Sequence, residues 1–213
     1  MYTERRAVIV KTPLRVSLGG GGTDLPFYAS CRGGFLITGA IDEYISVSVA
    51  VRPLDDQILV QTTSTQFAST LDELENDVIR AVLQYFEISG GIQVATFSTL
   101  PTGIGLGSSS AQIVGLVKAL STLLGQDMSP HELGEVAHRI EREILGWAGG
   151  IQDQYISAIG GVQVLTVDTD GAVRADPLVV ADEIREDLER RLVLISANVE
   201  RNSADIIKSQ MVD

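Results

Sequence analysis

Leu100-Pro101-Thr102-Gly103-Ile104-Gly105-Leu106-Gly107-Ser108-Ser109-Ser110-Ala111 joins a strand-like apolar segment, residues 92–97, to a long helical pattern over residues 111–124. Three glycines and three serines lie within the quoted stretch. Such a loop exposes backbone N–H groups at the positive end of a helix, where an anion can settle. Glycine lets the backbone approach a phosphate closely. Serine can cap the helix and offer a hydroxyl to a phosphate or a metal. The stretch therefore reads as a phosphate loop. A plain turn with an N-cap is the simpler alternative, and the density of glycine and serine speaks against it. No Lys-Ser or Lys-Thr closes the run, so it is not a Walker loop. Gly105-x-Gly107-x-x-Ser110, with Asp127 downstream, resembles a dinucleotide fingerprint, but Asp127 stands between two helical patterns instead of after a strand.

The chain of 213 residues is 45% hydrophobic, enough for one large domain or one and part of a second. A net charge of -12 argues against nucleic acid or an anionic membrane as partner. It leaves room for a nucleotide, because local amides and a metal bind phosphate whatever the global charge. The single cysteine, Cys31, excludes an internal disulfide and reads as a small core residue in a cytoplasmic protein. The opening residues, Met1 to Arg6, do not resemble a signal peptide, and no apolar run reaches membrane-spanning length.

The first half reads mostly as strands, over residues 7–11, 35–41, 44–51 and 58–62. A helical pattern over 71–86 precedes the strand at 92–97. Helices follow over 111–124 and 130–145, the second opened by Ser129-Pro130 and Glu132. A short helix over 151–159 and a strand over 162–167 come next. A strand over 192–196 and a helix over 203–210 look like the start of a further unit.

Two more clusters carry chemistry. In Arg15-Val16-Ser17-Leu18-Gly19-Gly20-Gly21-Gly22-Thr23-Asp24, four glycines suit a close-approach loop that presents Asp24 to a polyhydroxylated ligand, although a flexible hairpin would look the same. In Glu141 to Gln154, Glu141 ends one helix and Asp153 begins another, where the helix dipole favours a carboxylate. Two carboxylates beside a phosphate loop are what a kinase needs, one for Mg²⁺ and one to accept a hydroxyl proton.

These residues resemble the GHMP small-molecule kinases. Pro13-x-Arg15-Val16-x-Leu18-x-Gly20-x-x-Thr23-Asp24 is similar to the first family motif, Pro101 to Ala111 to the second, and Gly150-Ile151-Gln152-Asp153-Gln154 to the segment holding the catalytic aspartate. The resemblance implies an α+β fold: a GHMP-type N-terminal domain over residues 1–180, with a mixed sheet and helices like ribosomal protein S5 domain 2. The start of an incomplete ferredoxin-like C-terminal domain would follow over 181–213. It also implies ATP and Mg²⁺ as cofactors. Pro101, Gly103, Gly105, Leu106, Gly107, Ser108, Ser109 and Ser110 would surround the triphosphate, and Ser109 and Glu141 would hold the metal. Asp153 would act as base beside Arg15, and Thr23 and Asp24 would meet the sugar.

Gly21 and Gly22 replace the Glu-His of galactokinases, which opens space and two amides beside the sugar. Gly20-Gly21-Gly22-Thr23-Asp24-Leu25-Pro26 looks most like the heptose 7-phosphate kinase branch. The implied function is ATP-dependent phosphorylation of a sugar or sugar-phosphate hydroxyl in the cytoplasm, with a homo-oligomer compatible. The family's third, glycine-rich motif is not found after Val162. A non-catalytic sugar or nucleotide sensor, or an inactive truncated piece, remains the alternative.

Overall fold

A computed structural model describes residues 6–101 and 103–195. In chain order they form β1 (Ala7–Gly19), α1 (Pro26–Arg32), β2 (Gly34–Val51), β3 (Ile58–Gln61), β4 (Thr65–Ala68), α2 (Asp77–Tyr85) and β5 (Ile92–Ser98). Then come α3 (Ser108–Leu123), α4 (Pro130–Arg139), α5 (Gln152–Ile159), β6 (Val162–Val167), β7 (Val173–Pro177) and α6 (Asp182–Arg191). A 3-10 turn, Leu71–Glu73, precedes α2, and a π-helical segment, Ile140–Ile144, prolongs α4.

The strands build one seven-stranded mixed sheet in the order β4-β3-β5-β2-β6-β7, with β1 beside β2. β3 and β5 pair in parallel, and the other pairs are antiparallel. β1 accompanies β2 from Ala7↔Ala50 to Gly19↔Ile37. β5 pairs with residues 45–51 of β2 and β6 with residues 34–39. The strands expected over 35–41 and 44–51 are therefore one. The expected strand over 7–11 continues past Pro13 to Gly19, with a register shift between Pro13 and Arg15. A bulge there accommodates a residue with no N–H to give the ladder. The longer strand carries Arg15 into the sheet.

Ile45, Val47 and Val49, alternate residues of β2, are buried in one cluster with Ile113, Leu116, Leu120 and Leu123 of α3. α3 is buried on nearly every side, so its first turn is a rigid platform. Burying each Leu or Ile contributes about 1.5–3 kcal/mol. A second cluster of Ala29, Leu36, Ile151, Tyr155, Leu165 and Val167 joins α1, β2, α5 and β6. α4 begins with a capping box between Ser129 and Glu132. The helix expected over 71–86 breaks because Asn76 caps a new start, accepting from the Ile79 amide at 2.9 Å.

Several expectations change. α3 starts at Ser108 and not at Ala111, with Gly107 as its N-cap and no serine side chain bonded there. Cys31 is exposed, since α1 buries Ala29 alone. α6 buries none of its residues, and residues 192–195 after it are irregular instead of a strand. The helix expected over 203–210 lies outside the described residues. Among the described residues no helix is long and apolar enough to cross a membrane.

Candidate functional site

The glycines of the loop between β5 and α3 take backbone angles that side chains resist. Gly103, Gly105 and Gly107 have φ of 79°, 81° and 76°. At Gly107 space is also short, because a Cβ would stand 3.2 Å from Asp153 Oδ2 and 3.3 Å from Arg15 Cγ. The amides of Ser108, Ser109 and Ser110 open α3, and no carbonyl lies a turn earlier within the helix to receive them. Ser108 and Ser110 are buried and Ser109 is exposed.

Arg15 binds this loop to α5. Its amide donates to Leu106 O at 3.1 Å and its Nη1 to Gly105 O at 2.7 Å. Nε and Nη2 donate to Asp153 Oδ1 and Oδ2 at 2.6 and 2.8 Å. The side chains of Arg15 and Asp153 are 14% and 24% exposed, so the pair sits at a surface that a ligand can reach.

Asp24 holds the start of α5. Its Oδ2 accepts the Ile151 amide at 2.9 Å and the Gln152 amide at 3.1 Å. The residue is 7% exposed, which leaves little of it for a sugar. The structure places the Asp24 carboxylate against the start of the helix that bears Asp153. Thr23 is engaged too, its Oγ1 lying 2.8 Å from Gly20 O, which accepts from it, and 3.0 Å from the Phe35 amide, which donates to it. Gly21 and Gly22 are exposed, and nothing lies within 4 Å of a Cβ placed on Gly22.

Glu141 is buried in the π-helical segment, where a widened turn is a frequent mark of function. Ser110 Oγ donates to Glu141 Oε2 at 2.7 Å, and Gln154 Nε2 donates to the same oxygen. Glu141 Oε1 has Arg142 Nη1 at 3.8 Å. The hydroxyl bonded to Glu141 is therefore that of Ser110 and not of Ser109. Gln154 is fully buried with its Oε1 unpartnered. Among the described residues no three His, Cys, Asp or Glu side chains gather as a metal site. One buried carboxylate bonded by the Ser110 hydroxyl is a sparse, oxygen-only donor set, which suits Mg²⁺ completed by phosphate and water oxygens.

Residues 74–161, which include the loop, α3, Glu141 and Asp153, match the family model described as the GHMP kinases N terminal domain. The likeness is to the N-terminal domain of the GHMP kinases. The chain is 32% identical to the D-glycero-alpha-D-manno-heptose 7-phosphate kinase of Campylobacter jejuni, over 94% of this chain and 62% of that protein. It superposes on a D-glycero-D-manno-heptose 1-phosphate kinase from Bacteroides thetaiotaomicron with a TM-score of 0.78 and 28% identity, over 86% of this chain and 63% of that one. Galactokinase from Lactococcus lactis shares the fold, with a TM-score of 0.66 and 18% identity over 89% of this chain and 59% of that one. The chain thus spans about three-fifths of the length of these relatives.

In the site, Arg15, Gly105, Gly107 and Asp153 come together, and Ser110, Gln154 and Arg142 join them unannounced. Ser110 and Gln154 each adjoin a motif residue, and that adjacency was the available signal. Arg142 follows Glu141 and reads as one more charge on a solvated helix face. Thr102 lies outside the described residues.

Proposed function

We propose that this chain acts as an ATP-dependent kinase, moving the γ-phosphoryl group to a hydroxyl of a sugar or sugar phosphate of the heptose phosphate class. The observation that carries the proposal is the Arg15 bridge, which sets the carboxylate of Asp153 beside Gly107 at the mouth of α3. A phosphate chain lying on the amides of residues 103–110, with Pro101 at the entrance, would end next to that carboxylate. Asp153 would orient the acceptor hydroxyl and take its proton as the oxygen bonds to phosphorus and the bond to the β-phosphate oxygen breaks, releasing ADP. Arg15 would hold the Asp153 carboxylate fixed in direction through both of its oxygens. Gly21 and Gly22 would border the sugar, with Thr23 and Asp24 shaping the turn behind them.

Ser109 and Glu141 would hold Mg²⁺, which when bound neutralises the charge developing on the transferred group. Ser110 and Gln154 support this by tying down Glu141 Oε2, while Oε1 faces the Arg142 guanidinium at 3.8 Å, beyond hydrogen-bond distance. Catalysis of this kind is largely positioning plus electrostatics, and the site is built accordingly. The proposal includes a cytoplasmic setting and a partner that is a small molecule and not nucleic acid, in keeping with the net charge of -12. It also includes a boundary near residue 180 and the opening of a ferredoxin-like second domain over 181–213, supported by α6, which buries no residue.

A panel of sugars and sugar phosphates, assayed for ADP release with this chain and with a version extended to the length of its relatives, tests the function. Release that depends on one acceptor is the expected result. Nucleotide binding with no turnover in either version would favour a sensor.

A further inference from the structure

The peptide unit between Gly150 and Ile151 is gripped at both ends by side chains of opposite charge. Its carbonyl accepts from Arg142 Nη2 at 3.0 Å and Nε at 3.3 Å. Its N–H donates to Asp24 Oδ2 at 2.9 Å. Arg142 Nη1 reaches a second carbonyl, that of Trp147, at 3.1 Å. The grip is close, since a Cβ on Gly149 would run into the Arg142 guanidinium and one on Gly150 into the Asp24 carboxylate. Both side chains are largely shielded from water, Arg142 at 17% exposure and Asp24 at 7%. A planar guanidinium can serve two carbonyls at once, and a lysine ammonium cannot reproduce that fork.

This peptide opens α5, and Asp153 stands in the first turn of that helix. The same guanidinium lies 3.8 Å from Glu141 Oε1. One side chain therefore touches both the carboxylate offered to the metal and the peptide that aims the helix bearing the base.

We propose that Arg142, with Asp24 as its counterpart, is a positioning residue for phosphoryl transfer, fixing the Gly150–Ile151 peptide so that Asp153 stands in register with the Gly107 loop. This rests on the kinase function proposed above. Arg142 touches no reacting atom, so its loss acts through the placement of Asp153. A misplacement of about 1 Å can cost on the order of 10²-fold in rate while ground-state binding survives.

Arg142→Ala and Arg142→Lys test it through three readouts. The first is amide hydrogen exchange at Ile151 and Gln152 in the unliganded protein. The second is Mg-ATP affinity. The third is kcat and KM with the best acceptor of the panel, in whichever chain length turns over. In Arg142→Ala the two amides should exchange about tenfold faster while α3 amides keep their protection. Mg-ATP affinity and acceptor KM should stay within about threefold while kcat falls roughly 10- to 100-fold, with Arg142→Lys between that variant and the parent. If Arg142→Ala fails to fold, Arg142→Lys carries the comparison. Faster exchange at both amides with unchanged kcat overturns the positioning role, and unchanged exchange in both variants overturns the grip itself. An absence of turnover in every parent chain counts against the kinase function and removes the positioning role with it. The exchange result still decides whether Arg142 holds the peptide.

Discussion

Arg15 binds Asp153 through both carboxylate oxygens, Nε to Oδ1 at 2.6 Å and Nη2 to Oδ2 at 2.8 Å. The remaining nitrogen of that guanidinium holds Gly105 O at 2.7 Å, so one side chain of β1 joins the loop to α5. Bidentate, charge-assisted pairs are both stronger and more directional than single hydrogen bonds. The pairing leaves Asp153 one orientation, with an oxygen directed at the place where Gly107 has no side chain.

If Asp153 takes the hydroxyl proton, Asp153→Asn should lower kcat by roughly 10²–10⁴ and change Mg-ATP affinity little. Steady-state kinetics together with calorimetric titration read both quantities. Full turnover in the variant would remove Asp153 from the mechanism and leave the Arg15 pair a structural one.

Glu141→Gln should raise the Mg²⁺ concentration needed for half-maximal turnover. Ser109→Ala should do the same with little loss of stability, because Ser109 is exposed. Ser110→Ala should instead destabilise the fold by about 1–3 kcal/mol, since the buried Glu141 Oε2 loses one of its two donors. Denaturant unfolding and Mg²⁺ titration separate the two serines. Equal behaviour of Ser109→Ala and Ser110→Ala would contradict the assignment.

At Gly150 a methyl group would meet the Asp24 carboxylate. Gly150→Ala should therefore cost about 1–3 kcal/mol of stability, or force Asp24 off the Ile151 amide. The melting temperature and the exchange rate of the Ile151 amide report on the two outcomes. A variant with both unchanged would mean that the contact yields freely.

The imidazole of His138 on α4 is pushed down to about 4, by burial first and by the charge of Arg142 second. Unfolded, it titrates near 6.5. Between these values the unfolded chain binds more protons than the folded one. The stabilising contribution of neutral His138 is thus complete above about pH 6.5 and is lost as the pH falls toward 4. The melting temperature should fall across that window, and His138→Gln should flatten the fall. An identical slope in the variant would show that other groups carry the acid sensitivity.

Periodicity and turn chemistry made most of the frame legible in the sequence. The apolar spacing of β5, α3, α4 and β6 matches what the structure contains, because these elements bury one face or all faces. β4 and β7 escape notice because Thr65–Ala68 and Val173–Pro177 lack an apolar run such as Ile58-Leu59-Val60 gives β3. α1 had its signal in Pro26 at the start and Gly33 at the end. The unity of β2 was hidden by Asp42 and Glu43, which look like a turn until β1 is seen to bridge them. The site follows the same pattern. Gly107, Arg15 and Asp153 belong to motifs whose residue types already suggest phosphate chemistry. Asp24 was legible as a functional acid but not as the cap of a helix 127 residues away, since only the tertiary fold brings the two together. Ser110 could not be told from Ser109 until the first turn of α3 showed which side chain points inward.

The most direct measurement is a titration of Mg-ATP into the parent chain and into Gly107→Val, followed by calorimetry and by the fluorescence of Trp147, the chain's one tryptophan. The backbone amide of Trp147 donates to Glu141 O at 3.1 Å, so the residue adjoins the segment that carries Glu141. Saturable binding to the parent, lost in a Gly107→Val variant that still melts cooperatively, is the expected result. Equal affinity of both proteins for Mg-ATP would contradict the assignment of the β5–α3 loop as the nucleotide phosphate site.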